Sequence, residues 1–195
     1  MFKKTILISA VVALIAVTAN ARGHHGNRDA NRGHHGNRDA NRGHGNNSSY
    51  NASTIDLSSI PLSELTDIQK ESLSFMIEEE KVARDVYSYL YDLWGSRVFS
   101  NIANAEQKHM DAIEALITRY SLGIPSTLDT KGEFENEELQ ELYNTLIEKG
   151  KLSLIEALEV GVLVEETDIS DLEDILNAGV PNDFEITYLH FRQKI

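Results

Sequence analysis

An all-α fold is predicted for this chain by three observations. Apolar residues recur every three or four positions through several long stretches, helix-capping patterns stand at the start of two of them, and no segment alternates for long enough to make a strand. Taken in chain order, the pieces are a leader, a polar repeat and a helical domain, with boundaries expected at 1–21, 22–53 and 54–195.

Lys3 and Lys4 precede an apolar run from Ile6 to Val17, and Ala19-Asn20-Ala21 has the small-x-small pattern of a cleavage site. This reads as a secretory signal peptide cut after Ala21. The run is shorter than the ~20 residues a membrane span needs. The mature protein is therefore expected to be secreted or periplasmic, with no membrane attachment after cleavage. The chain has no cysteine, so an oxidising compartment brings no disulfides and thiolate ligands are excluded.

Gly-His-His-Gly-Asn-Arg-Asp-Ala-Asn-Arg occupies 23–32 and again 33–42, and a broken third copy begins at Gly43. Nothing in it is apolar enough to fold, so disorder is expected. His24, His25, His34, His35 and His44 lie here, and His-rich tracts bind Cu, Ni or Zn through neutral imidazole. Cleavage after Ala21 would also expose Arg22-Gly23-His24, whose free amine and third-position imidazole suit square-planar Cu or Ni. The alternative is a flexible spacer produced by repeat expansion.

The formal charge of the whole chain is −13, but it is unevenly placed. The repeat carries five Arg and two Asp, whereas residues from 46 onward hold 29 acidic and 11 basic side chains, a net of −18. A domain that acidic attracts cations and repels nucleic acid and anionic lipid. Metal ions are the expected partners, with a homodimer as the candidate assembly.

The first helix is expected to open at the capping box of Thr66 and Gln69 and to run to about Trp94, where Gly95 ends it. Its stripe is Leu73, Met76, Glu80, Ala83, Tyr87, Leu90 and Trp94. The second follows Ser96 and reaches Tyr120, with Gly123 and Pro125 as breakers. A shorter helix over about 135–148 carries Leu139, Leu142, Tyr143 and Leu146. Ser153 and Glu156 form a second capping-box pattern, opening a helix with the stripe Ile155, Leu158, Val162, Glu165, Ile169, Leu172 and Leu176. Gly179 and Pro181 close it, and a short last helix is expected over 183–194.

The second helix holds the main chemical signal. Its stripe reads Phe99, Ile102, Glu106, His109, Ile113, Leu116 and Tyr120, so a carboxylate and an imidazole at i and i+3 point where the core should be. Burying charge without a partner is costly. Glu80 and Glu165 occupy the stripes of the two other long helices, and the three can converge. Carboxylates plus imidazole suit Fe or Mn, with Zn as an alternative. Taken singly, each acid has a plainer reading as a salt-bridged residue at the core's edge.

Glu80-Lys81-Val82-Ala83-Arg84-Asp85-Val86-Tyr87 resembles the first ligand helix of rubrerythrin-type ferritin-like proteins, with Glu, then Ala-Arg, then Tyr at these spacings. Glu106-x-x-His109 resembles their second. Over about 62–176 the chain is similar to an uncharacterised ferritin-like family of prokaryotic, often exported proteins, through Glu78 to Tyr87, Ala105 to Met110 and Val164 to Leu172. The resemblance implies a ferritin-like four-helix bundle with an extra short helix and a shortened last one. It implies Glu80 as a terminal ligand, Glu106 as a bridging ligand, His109 as a nitrogen ligand and Glu165 as the ligand of the third long helix. Tyr87 would place a hydroxyl behind them. Asp168, at i+3 from Glu165, would be a further ligand or orient one. Glu79 and Glu166 are expected to face solvent.

One departure stands out. Ferritin-like sites take a second Glu-x-x-His from the last helix, and here only Asn182 to Ile195 follow Pro181. Glu185 and His190 are five apart and do not share a helix face, which leaves His190 as a lone candidate ligand. Three functions follow from the resemblance and the composition: an exported di-iron oxidoreductase of ferroxidase or peroxidase type, a metal-sequestering protein, or a structural module whose site has decayed. Fold alone does not choose among them. No nucleophile elbow, phosphate loop or dinucleotide fingerprint is present in the sequence.

Overall fold

The Thr66 side chain accepts from the Gln69 backbone at 3.3 Å while the Gln69 side chain accepts from the Thr66 backbone at 3.0 Å. That reciprocal box starts α1, Asp67–Trp94. Gly95 ends it in the left-handed region at φ 64, donating to the Tyr91 carbonyl, a conformation that glycine adopts without Cβ strain. The computed structural model describes residues 56–192. The leader, the histidine repeats and residues 193–195 lie outside the described residues, and so do the expectations attached to them.

Four more helices follow: α2, Arg97–Arg119; α3, Glu137–Gly150; α4, Leu154–Asn177; and α5, Asn182–Arg192. No strand occurs among the described residues, so the all-α expectation holds. α3 starts two residues later than expected, because the Asn136 side chain caps it by accepting from the Glu138 and Leu139 amides. No described helix is long and apolar enough to cross a membrane.

α1 is the hub. It packs on α2, α3 and α4, and α5 packs on α2 and α4. Contact on three sides buries α1 nearly all round: every residue from Phe75 to Ala83 is buried. Polar residues in that run need partners, and most have them. Glu78 accepts from the Glu135 and Asn136 amides at 2.6 and 3.1 Å. Fully buried Lys81 bonds Asp85 at 2.8 Å and the Thr130 and Glu133 carbonyls at 2.8 and 2.9 Å, and lies 4.0 Å over the Phe134 ring. Together these groups fasten the loop between α2 and α3 to α1.

The α4 stripe expected from periodicity is buried only in its second half, where Glu165 and Leu172 border a cavity. Ala157, Val160, Gly161, Val164, Thr167, Leu172 and Ile175 face inward, while Ile155 and Val162 are 67% and 60% exposed. The first half of α4, residues 154–164, is apolar around most of its circumference, so periodicity does not fix its facing there. Its small residues do. A Cβ on Gly161 would sit 3.4 Å from the Tyr87 ring, and this closeness lets α4 settle against α1.

The core divides in two. One cluster, containing Val82, Val86, Leu90, Phe99, Leu142 and Val160, lies toward α3. The other, containing Leu73, Ile77, Ile113, Leu116, Phe184 and Tyr188, lies toward α5. Asp183 at the start of α5 bonds Arg119 at 3.1 Å and the Tyr120 hydroxyl at 2.9 Å, which locks that lower end.

Candidate metal centre

Between the two apolar clusters lies a polar layer. Glu80 comes from α1 and Glu106 and His109 from α2, and all three are buried. His109 Nδ1 is 2.9 Å from Glu106 Oε2 and 3.2 Å from Glu80 Oε2. Each of the three offers one ligand atom within 4.8 Å of the others, a spacing that one ion can span. The helical register produces this directly, since i and i+3 stack Glu106 under His109 while the α1–α2 hairpin brings Glu80 across.

α4 contributes the other side. Glu165 is partly buried and accepts from the Tyr87 hydroxyl at 2.7 Å, and the same hydroxyl lies 3.0 Å from the Gly161 carbonyl. Glu165 and Asp168 line a cavity of about 20 Å³ together with Glu79, Glu80, Glu106 and His109. That exceeds the ~10–15 Å³ one water-sized sphere requires. Met76, Leu172 and Phe191 make its apolar walls. Glu80, Glu106, His109, Glu165 and Asp168 therefore border one cavity, and the Tyr87 hydroxyl reaches Glu165.

Two expectations need correction. Glu79 does not face solvent: it is 6% exposed and lines the cavity, because α1 is covered on three sides. Glu166 is exposed. His190 does not border the cavity. Its neighbour Phe191 does, stacking on His109 with centroids 4.4 Å apart. Sequence reasoning missed Glu79, Phe191 and Asp171, which shares a hydrogen bond with Glu79. For Asp171 a signal was present, since Glu165, Asp168 and Asp171 repeat at intervals of three.

So much acid in one layer distorts ionisation. Burial pushes Glu80 up to about 7, against the pull of His109. For His109, burial works to depress the imidazole, but its bonds to Glu106 and Glu80 outweigh this and raise it to about 10. Burial raises Glu79, Asp168 and Glu165 as well, and neighbouring acids add to the rise at each. Burial and the Glu165 charge also raise Tyr87, which keeps it a hydrogen-bond donor. Buried carboxylates of raised affinity for protons are also carboxylates poised to accept a cation.

The donor chemistry fits a transition metal: several carboxylate oxygens and one imidazole nitrogen directed at them. His109 Nε2 and Glu79 Oε1 are buried without hydrogen-bond partners, so the layer holds polar atoms whose bonding capacity is unused within the protein.

Comparison with known proteins places this architecture. An uncharacterised protein of Methanocaldococcus jannaschii, MJ0754, is 43% identical over 132 residues, which are 68% of this chain and 71% of the relative. The crystal structure of the hypothetical protein MJ0754 is similar with a TM-score of 0.66 at 42% identity, covering 68% of this chain and 75% of that one. The model of the uncharacterized protein domain DUF2202 matches residues 69–192, which take in all five helices but the first two residues of α1. The chain belongs to the DUF2202 family.

Proposed function

We propose that this chain is an exported, ferritin-like metal protein that holds iron or manganese through Glu80, Glu106, His109, Glu165 and Asp168. The observation that carries the proposal is the convergence of Glu80, Glu106 and His109 inside the core, within 4.8 Å of one another. The ferritin-like reading draws support from the packing. α1, α2, α4 and α5 supply the four positions, α3 is the extra short helix, and α5, with 11 residues, is the shortened last one. Export rests on the leader pattern of residues 1–21.

Each residue has a task in this reading. Glu80 and Glu106 supply negative charge at the centre, and His109 presents Nδ1 to the same point. Tyr87 holds Glu165 in place by donating to it, and Phe191 fixes the imidazole plane by stacking. Met76 and Leu172 supply apolar contact beside the acids. A redox-active metal held there would supply one-electron chemistry toward oxygen or peroxide. The mixed oxygen and nitrogen set favours iron or manganese, with zinc as the competitor.

Elemental analysis of the full chain and of the Glu106→Ala/His109→Ala variant tests the proposal. The wild type should carry iron or manganese in excess of the variant, the histidine repeats being common to both. Equal metal in the two proteins would remove the core site. Ferrous iron followed by oxygen or peroxide then separates a catalyst, which oxidises successive additions, from a store that takes up one load.

A further inference from the structure

Tyr188 on α5 carries a hydroxyl with nothing to bond. The residue is fully buried, and its Oη has no hydrogen-bond partner among the described residues. A buried hydroxyl left unpaired costs free energy, and few such groups survive in folded proteins without a reason. Asp183, at the start of the same helix, already accepts from Arg119, the Tyr120 hydroxyl and the Phe184 amide. It therefore has little need of Tyr188.

The placement of Tyr188 links it to the candidate metal centre. Tyr188 and Phe191 are three apart and share a face of α5, and their ring centroids lie 6.1 Å from each other. Phe191 borders the cavity and stacks on His109. Tyr188 also belongs to the apolar cluster of Met76 and Ile77, and Ile77 precedes Glu80 by three, on one face of α1. Burial raises the phenol, and of the two acids that add to the rise Glu80 acts more strongly than Asp183. Tyr188 does not border the cavity itself, so it is placed to serve a ligand rather than the ion.

Glu80 needs a new donor when the centre is loaded. Without metal, His109 Nδ1 lies 3.2 Å from Glu80 Oε2. A ring nitrogen that gives its lone pair to a metal carries no hydrogen, so His109 as a ligand through Nδ1 stops donating to Glu80. We infer that Tyr188 is a positioning residue, whose hydroxyl donates to Glu80 in the metal-loaded protein. A donor behind a ligating carboxylate fixes which oxygen faces the ion. By this route α5 supports the centre without supplying a ligand. The inference rests on the metal reading of Glu80, Glu106 and His109.

Manganous ion serves as the probe, with equilibrium dialysis and thermal melts of the full chain. Tyr188→Phe deletes an unpaired hydroxyl, so without metal it should melt at or above the wild-type temperature. It should nevertheless bind manganous ion about 10-fold more weakly, at the equivalent that Glu106→Ala/His109→Ala removes. A purely structural tyrosine would not move the two readings in opposite directions. If Tyr188→Phe fails to fold or melts lower without metal, the hydroxyl is already bonded in the metal-free protein and the inference is wrong. Affinity equal to the wild type overturns it as well, and leaves the metal reading standing. If Glu106→Ala/His109→Ala binds as much manganous ion as the wild type, the metal reading itself fails and takes the role of Tyr188 with it.

Discussion

Tyr87 Oη lies 2.7 Å from Glu165 Oε1, and this bond ties α1 to α4 at the level of the candidate metal centre. The bond holds the α4 carboxylate on the side of the α1–α2 trio, and Gly161 makes room for it, since a Cβ there would sit 3.4 Å from the Tyr87 ring.

Tyr87→Phe should therefore act on two scales. Losing a buried hydroxyl that serves two acceptors should cost about 1–3 kcal/mol in chemical denaturation. Releasing the orientation of a ligand should weaken manganese or iron binding by about 10–100-fold in titration. A variant that loses stability but keeps full affinity would show that Glu165 takes no part in binding.

The metal-free protein should lose stability as pH rises. Glu80 titrates near 4.5 when unfolded and near 7 when folded, so the native state binds more protons between these values and stability falls across that window. His109 moves from about 6.5 up to about 10; its contribution is complete below 6.5 and is lost as pH climbs to 10. Both slopes have the same sign. Denaturant midpoints from pH 5 to 9 should decline, Glu80→Gln should flatten the limb below 7, and saturating manganese should offset the decline because binding improves as ligands deprotonate.

Lys81→Ala should destabilise by about 1–3 kcal/mol, since it leaves the buried carbonyls of Thr130 and Glu133 without their donor and removes one of the two cations at Asp85, which keeps Arg84 and the Gly132 amide. Metal stoichiometry should not change, because Lys81 points away from the cavity toward the loop between α2 and α3. Denaturation and dialysis on one preparation check both halves.

The facing of α4 is tested by a contrast. Ile155→Ala, at an exposed position, should alter stability by less than about 0.5 kcal/mol. Ile113→Ala, at a fully buried one, should cost about 2–5 kcal/mol. Equal costs would mean that Ile155 is covered in solution.

Some of this was readable from sequence for identifiable reasons. The reciprocal Thr66–Gln69 cap and the left-handed Gly95 are local chemistry, so the limits of α1 followed from neighbouring residues alone. Glu106 and His109 were found because i and i+3 share a face on any helix. Glu79 was missed because, within one helix, it sits about 100° from Glu80. Only the packing of three other helices around α1 buries both. The facing of the first half of α4 was missed for a related reason: apolar residues surround it there, and the side that turns inward is the one where Gly161 lets the Tyr87 ring of α1 come close. The stacking of Phe191 on His109 depends on where the short α5 ends in space, which periodicity does not encode.

Anomalous diffraction from crystals grown with manganese or ferrous ion tests the central claim most directly. A peak should appear about 2.0–2.4 Å from carboxylate oxygens of Glu80 and Glu106 and from His109 Nδ1. Peaks confined to exposed acids, or none in the core at saturating metal, would contradict it.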